Sequence, residues 1–198
     1  MKRRDFLRVT LVGGAAAAVA PLDLWGKGTG KSGFTLWQLP SQVDTIGNSF
    51  VFLTDKGRVV VMDGGMNDET LFLRGFIAAL GNEVEAWFTS HPHNDHVGAL
   101  TKILQKPDGM KINKVYHSRF SDSLLACEAP YQQYALDYYE ALDKSGIEVA
   151  NQTEPGLTGQ IDGLNFKILG VTNEEFRTNP YNNSSMIIRV WDKAKSLV

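Results

Sequence analysis

The feature that most constrains the fold of this chain is a cluster of histidines. Three of its four histidines, His91, His93 and His96, lie within six residues of one another. A predicted strand over residues 84–89 precedes the cluster, and a predicted helix over residues 97–105 follows it. Imidazole and carboxylate groups are common ligands of zinc and iron. The fold is therefore expected to place a metal-binding loop between a strand and a helix.

The spacing of the cluster predicts two pairs of ligands. Alternate residues of an extended segment share a face, so His91 and His93 can point to the same side. Asp95 and His96 stand at the entry to the predicted helix, where Asp95 can cap backbone N–H groups and also face a cation. Two pairs can serve two neighbouring metals, which together can hold one hydroxide. The alternative is a histidine-rich surface turn in which Asp95 only caps the helix.

The rest of the chain predicts an α/β fold. A β-meander comes first and alternating strands and helices follow, which indicates a mixed β-sheet with flanking helices. Strands are predicted over residues 34–39, 49–54, 58–62, 84–89, 112–116, 157–161, 164–169, 185–191 and 196–198. Two further helices are predicted, one beginning at Asn67 or Asp68 and ending at Gly81, the other running from Pro130 to near Gly146. The second helix has an apolar stripe predicted to fill the core, formed by Tyr131, Tyr134, Ala135, Tyr138 and Leu142.

Composition and charge fit one globular domain, predicted over residues 33–198. The hydrophobic fraction of 43% suffices for a core. The net charge of −2 gives no electrostatic support for binding to nucleic acid or to an anionic membrane, although a local basic groove could still hold a nucleic acid. Cys127 is the one cysteine, so an intrachain disulfide is excluded, and we expect it to be a small hydrophobe in a packed segment.

The first 20 residues are predicted to be an export signal. Residues 2–8 are basic, and residues 9–20 are apolar but shorter than the roughly 20 residues of a membrane-spanning helix. Residues 2–8 resemble the twin-arginine signal, with paired arginines, one variable residue, then Phe-Leu and a basic residue. The resemblance implies a prokaryotic protein that the twin-arginine machinery exports to the periplasm or secretes. Cleavage is predicted near Ala20, with a cut after Ala18 or an uncleaved anchor as alternatives, and residues 21–32 are predicted to be a linker.

The histidine segment is similar to the His-x-His-x-Asp-His signature of the metallo-β-lactamase superfamily. Residues 48–53 and 58–65 resemble the opening strands of that family and the acidic-glycine turn that ends them. The resemblance implies a four-layer αββα sandwich, of which this chain holds the N-terminal portion. It also implies two zinc ions, with manganese or iron as alternatives. The ligands it implies are His91, His93, Asp95 and His96.

Roles for single residues follow from the same resemblance. Asp95 is the expected catalytic residue as well as a ligand. Asp63 is expected to support the metal loop from behind the ligands, the alternative being a turn-forming aspartate before two glycines. Residues 182–190 resemble the Asn-x-Ser strand of the branch related to the β-lactamase-like domain of DNA-uptake channel proteins. Asn183 is a candidate substrate contact on this strand. His117 does not match the position of a later ligand in the family, but it ends the predicted strand over residues 112–116 and is a candidate substrate contact from that position, the alternative being a polar residue at a strand end.

The family usually completes its site with a bridging aspartate and a distal histidine, which we do not find in this sequence. Residues 192–198 resemble the turn and strand that lead to that aspartate. We therefore expect a chain that is incomplete at its C-terminus and inactive by itself. The implied activity is hydrolysis of a phosphoester by a metal-bridging hydroxide, with ester, lactone or amide substrates as alternatives. The alternative from another class is an exported metal- or ligand-binding module without catalysis. The sequence does not predict an oligomeric state.

Overall fold

The computed structural model describes residues 31–198, and the predicted signal over residues 1–20 lies outside the described residues. Two β-sheets lie face to face, and helices cover the outer face of the first. None of the helices in residues 31–198 has the length and apolar character needed to cross a membrane.

The first sheet contains seven strands within the described residues. Their bounds are β1 Phe34–Gln38, β2 Ser49–Thr54, β3 Val59–Asp63, β4 Glu83–Phe88, β5 Lys111–Ile112, β6 Lys114–His117 and β7 Glu148–Asn151. The spatial order is β1-β2-β3-β4-β6-β7, and the short β5 also pairs with β4. The first three strands form an antiparallel meander, whereas β3, β4, β6 and β7 are parallel to one another. Parallel neighbours bring the carboxyl ends of β3, β4 and β6 to one edge of the sheet.

The second sheet is antiparallel. Its strands are β8 Thr158–Ile161, β9 Leu164–Gly170, β10 Ile187–Trp191 and β11 Ser196–Leu197, in the order β11-β10-β9-β8. Asp162 and Gly163 form the tight connection between β8 and β9. The helices are α1 Thr70–Ala79, α2 Asn94–Gln105, α3 Asp122–Leu125, α4 Ala129–Lys144 and α5 Pro180–Asn183, with 3₁₀ turns at Asn67–Glu69 and Ala126–Glu128.

Strand alternation divides the core into two layers. Trp87 of β4 packs with Leu100 and Ile103 of α2 on the helix side of the first sheet. Its neighbour Phe88 points to the opposite face and packs with Phe166 between the sheets. Successive strand residues face opposite sides, so a strand buried on both faces is a continuous apolar run. The mixed sheet with flanking helices, predicted from the sequence, is confirmed.

Several local predictions are wrong. Tyr131 and Tyr134 are 47% and 42% exposed, whereas Tyr139 is buried, because the buried stripe of α4 follows Ala135, Tyr138, Tyr139, Ala141 and Leu142. Cys127 is exposed, since it lies in a surface 3₁₀ turn of which no residue is fully buried. The strand β7 and the short helices α3 and α5 were not predicted, because each is short and depends on tertiary contacts.

Candidate metal centre

The predicted ligands lie where the chain leaves the carboxyl end of β4 and enters α2. The helix begins at Asn94, three residues earlier than predicted, and His93 occupies the position before it with an extended backbone (φ −70°, ψ 147°). Asp95 is therefore in the first helical turn and does not cap the helix, which corrects the capping expectation. A carboxylate in the first turn is still favourable to the helix dipole. This geometry brings His91, His93, Asp95 and His96 to one end of the sheet.

Close backbone packing holds this helix start in place. The amide of Ala99 donates to the carbonyl of Gly65, 3.1 Å away, in the turn after β3. A Cβ atom added at Gly98 would lie 2.6 Å from the backbone nitrogen of Asn67. Gly98 thus lets α2 approach the 3₁₀ turn before α1 more closely than any other residue would. This packing therefore also fixes the position of the ligands on the first turn of α2.

His91 and His93 form the first pair. Their rings lie edge to face with centroids 4.8 Å apart, and His91 Nε2 is 3.0 Å from His93 Nδ1. Hydrogen-bond partners determine the tautomers. Ser90 Oγ donates to the Asp63 carboxylate, so this oxygen accepts from the Nδ1–H of His91, 3.0 Å away. Ser185 Oγ lies 3.2 Å from the same nitrogen. The Nε2 lone pair of His91 is left facing His93.

His96 and Asp95 form the second pair. His96 Nδ1 donates to Asp63 Oδ2 at 2.8 Å, which leaves Nε2 as the ring nitrogen available to a metal. Asp95 Oδ2 lies 3.5 Å from His96 Nε2, and the side-chain amide nitrogen of Asn48 lies 3.3 Å from the same His96 Nε2. The rings of His91 and His96 are 3.9 Å apart between centroids, so the two pairs are adjacent.

Asp63 lies behind both pairs. Its carboxylate accepts hydrogen bonds from His96 Nδ1, from Ser90 N at 2.8 Å and from Ser90 Oγ at 2.9 Å. Its backbone is left-handed, with φ at 54°, and its carbonyl accepts from Trp87 Nε1 at 3.0 Å. A left-handed aspartate is uncommon and needs such surroundings to hold it. This placement behind the ligands is the one that the family resemblance implies, and the role itself stays a prediction.

The surroundings of His91 favour the neutral form of its imidazole. Burial, reinforced by the neighbouring His96 and His93, lowers the pKa of His91 to about 2. The imidazole is therefore neutral at physiological pH, as a metal ligand must be. At His96 burial alone would lower the pKa, but the hydrogen bond and charge of Asp63, together with Asp95, raise it.

A comparison with protein-family models identifies the family of this chain. Residues 43–169, more than half of the chain, match the model described as the metallo-beta-lactamase superfamily. The chain belongs to the metallo-beta-lactamase superfamily. No curated protein sequence matches this superfamily member at a significant level.

Solved structures share the fold of this superfamily member at low sequence identity. A Cronobacter sakazakii metallo-beta-lactamase with a HARLDQ motif is 14% identical, with a TM-score of 0.52 over 81% of this chain and 57% of its own. The metallo-beta-lactamase fold protein YhfI from Bacillus subtilis is also 14% identical, with a TM-score of 0.52 over 84% of this chain and 61% of its own. The chain thus spans about three fifths of the length of these structures.

The donor chemistry of the two pairs fits a metal. His93 Nε2 lies 3.1 Å from a Glu128 carboxylate oxygen, which can accept a proton donor but cannot donate when ionised, so in a neutral His93 ring the Nδ1 lone pair faces the Nε2 lone pair of His91. Two lone pairs in contact repel unless a cation or a proton lies between them. Two ligands of one tetrahedral zinc are about 3.3 Å apart, close to both pair distances. Within residues 31–198, no group of three or more His, Cys, Asp or Glu side chains converges on one point.

The two candidate substrate contacts lie apart from the pairs. His117, at the end of β6, is 3% exposed and its ring faces Tyr138 and Tyr139 of α4. It is therefore buried under the helix layer instead of lining an open surface. Asn183 is exposed on α5, and its amide donates to the carbonyl of Thr178.

Sequence reasoning missed four residues that contact the ligands, namely Asn48, Ser90, Glu128 and Ser185. Ser90 is adjacent to the histidine signature, so its position was the available signal. Ser185 belongs to the Asn-x-Ser pattern over residues 183–185, in which the sequence indicates only the asparagine as a candidate contact. Glu128 carried no local signal.

Proposed function

We propose that this chain carries the centre of a two-metal hydrolase, in which His91 and His93 bind one metal and Asp95 and His96 bind the other. The observation that carries the proposal is the 3.0 Å contact between His91 Nε2 and His93 Nδ1, two nitrogens whose hydrogen-bond partners leave both without a proton. In a histidine-rich surface turn, a contact of this kind would be exposed to solvent instead of buried.

Bound metal would supply Lewis acidity and a water of lowered pKa. The protein residues prepare for this. Asp63 holds the Nδ1 proton of His96, so that Nε2 faces outward. Ser90 and Ser185 do the same for His91. Asp95, the proposed catalytic residue, presents a partly exposed carboxylate that can accept a hydrogen bond from water and orient it.

Zinc is the first choice of metal, because three imidazoles and one carboxylate match its preferred ligands. Iron or manganese are alternatives for the same ligands. A diiron species has been solved in the chemotaxis sensor ODP, which is 14% identical with a TM-score of 0.50 over 82% of this chain and 57% of its own. That likeness supports including iron in the loading experiments.

A phosphoester is the proposed substrate, on the basis of the Asn-x-Ser resemblance in residues 182–190. Lactone and β-lactam hydrolysis are the alternatives. Export through the twin-arginine route, with a periplasmic or secreted location, completes the proposal.

One observation favours a second candidate, a metal-binding module without catalysis. Each pair supplies two ligands, whereas a catalytic zinc has about three protein ligands and an open position. Within the described part of the chain no third ligand joins either pair. We therefore expect the 198-residue chain by itself to bind metal weakly and to show no turnover.

The test assays phosphodiester, lactone and β-lactam substrates with zinc, iron or manganese. Two proteins are compared, the 198-residue chain and the longest natural form of the protein that contains it. Metal-dependent turnover by the longer form alone supports the hydrolase. Metal binding by both forms without turnover on any substrate supports the binding module. Robust turnover by the 198-residue chain contradicts the ligand count.

A further inference from the structure

Glu128 connects the first ligand pair to a distant part of the chain. It ends the 3₁₀ turn before α4, and its side chain is only 12% exposed. Both carboxylate oxygens are engaged. Oε2 lies 3.1 Å from His93 Nε2, and Oε1 accepts a 2.8 Å hydrogen bond from the backbone N–H of Tyr181 in α5.

The carboxylate determines which nitrogen of His93 carries the proton. An ionised carboxylate can only accept, so the proton of neutral His93 lies on Nε2. The other tautomer would place a proton on Nδ1, in the 3.0 Å gap to His91 Nε2. That proton would form an N–H···N hydrogen bond between the two imidazoles and occupy the position of a metal. The two tautomers are thus a metal-competent state and a closed state of the same pair.

No other described residue gives His93 Nε2 a hydrogen bond. The rings of Tyr131 and Tyr181 flank the imidazole, each with its centroid 4.8 Å away, and they supply packing. Burial limits water as an alternative hydrogen-bond partner, because His93 is 8% exposed and water has little access to its ring. The tautomer of His93 therefore depends on Glu128 more than on solvent.

We propose that Glu128 is a positioning residue, which holds His93 in the tautomer that can bind a metal. The inference rests on the proposed function for the identity of the ligand pair. Carboxylates that orient metal-bound histidines in this way typically change metal affinity about 10- to 100-fold when they are replaced.

The decisive variant is Glu128→Gln in the 198-residue chain. Its oxygen can keep the hydrogen bond from Tyr181 N, which turns the amide NH₂ toward His93 Nε2. A donor at that position favours the Nδ1–H tautomer, the closed state. Glu128→Ala removes the partner without imposing the wrong tautomer. Glu140→Gln, an exposed position of α4 paired with Lys144, is the matched control.

Two measurements are made on each protein. Nitrogen NMR of the imidazoles in metal-free protein reports the tautomer of His93, and competition with a chromophoric chelator reports zinc affinity. We expect an Nε2–H tautomer in the wild-type protein, an Nδ1–H tautomer in Glu128→Gln, and zinc affinity about 10- to 100-fold weaker in that variant. Glu128→Ala should lose less affinity than Glu128→Gln, and Glu140→Gln should lose none.

A purely structural role for Glu128 predicts the reverse order, since Gln preserves size and the Tyr181 hydrogen bond while Ala preserves neither. That order would overturn the proposal. An Nδ1–H tautomer of His93 in the wild-type chain would also overturn it, without recourse to any variant. A wild-type chain with the predicted tautomer that binds no zinc supports the role of Glu128 in fixing the tautomer and overturns the two-metal proposal instead.

Discussion

Acid should destabilise this protein through His117, a histidine outside the candidate metal centre. His117 is 3% exposed and its Nδ1 has no hydrogen-bond partner within the described residues. Burial, with a smaller contribution from the charge of Arg119, lowers its pKa from 6.5 to about 4, and Asp143 opposes the shift weakly. The folded protein therefore resists a proton that the unfolded chain accepts.

The sign and size of the effect follow from linkage. Above pH 6.5 His117 is neutral in both states and its stabilising contribution is fully present. As the pH falls from 6.5 to about 4, the unfolded chain binds the proton first, and the free energy of unfolding decreases. The slope is about 1.4 kcal/mol for each pH unit, so the whole window amounts to about 3 kcal/mol. Below the folded pKa the loss levels off.

The assay is urea unfolding of the metal-free protein across this window, for the wild-type chain and for His117→Leu. The leucine cannot titrate, and the other groups that resist protonation, such as His91, are present in both proteins and cancel in the difference. We expect the wild-type protein to lose up to about 3 kcal/mol more than the variant between pH 6.5 and about 4. Parallel pH profiles for the two proteins would refute the reasoning.

Three more predictions test other parts of the structure. Gly98→Ala should lower the free energy of unfolding by about 1–3 kcal/mol in denaturant titration, because its new methyl group meets the 3₁₀ turn before α1; an unchanged midpoint would contradict that packing. Asp63→Asn should weaken zinc binding about 10- to 100-fold by calorimetry, since an amide accepts at one end only and leaves either His96 Nδ1–H or Ser90 N–H without its acceptor; equal affinity would contradict the role of Asp63. Replacing Arg3 and Arg4 with Lys should abolish export of a reporter fusion through the twin-arginine route, and continued export by that route would contradict the signal.

Local patterns in the sequence were sufficient to predict the strand, ligand loop and helix that form the centre. The apolar run before Ser90 and the one-turn spacing after His96 are short-range signals, and both elements formed with shifted ends. The start of α2 at Asn94 was missed because the signature itself contains no strong helix former. The sequence predicts the wrong phase for α4 because nothing in it distinguishes Tyr139, whose hydroxyl accepts from the backbone N–H of Phe120, from Tyr134, which is 42% exposed.

Residues that support the ligands from a distance could not be predicted in this way. Ser185 is 94 positions from His91, and Glu128 is 35 positions from His93. Their contacts arise only when α4 and the segment before β10 pack over the end of β4. A buried carboxylate looks like any surface glutamate in the sequence, because hydrophobic periodicity carries no information about it.

The central claim is that the histidine cluster binds metal, and metal analysis of the purified chain tests it most directly. The wild-type protein is compared with the double variant His93→Ala/His96→Ala, which removes one ligand from each pair. His117→Leu is the matched control, since it removes a histidine outside the cluster. We predict that, at equilibrium with a zinc-buffered solution, the wild-type protein and the control hold more zinc than the double variant, because each weak ligand pair is intact only in those two proteins. Equal zinc content in all three proteins would contradict the account.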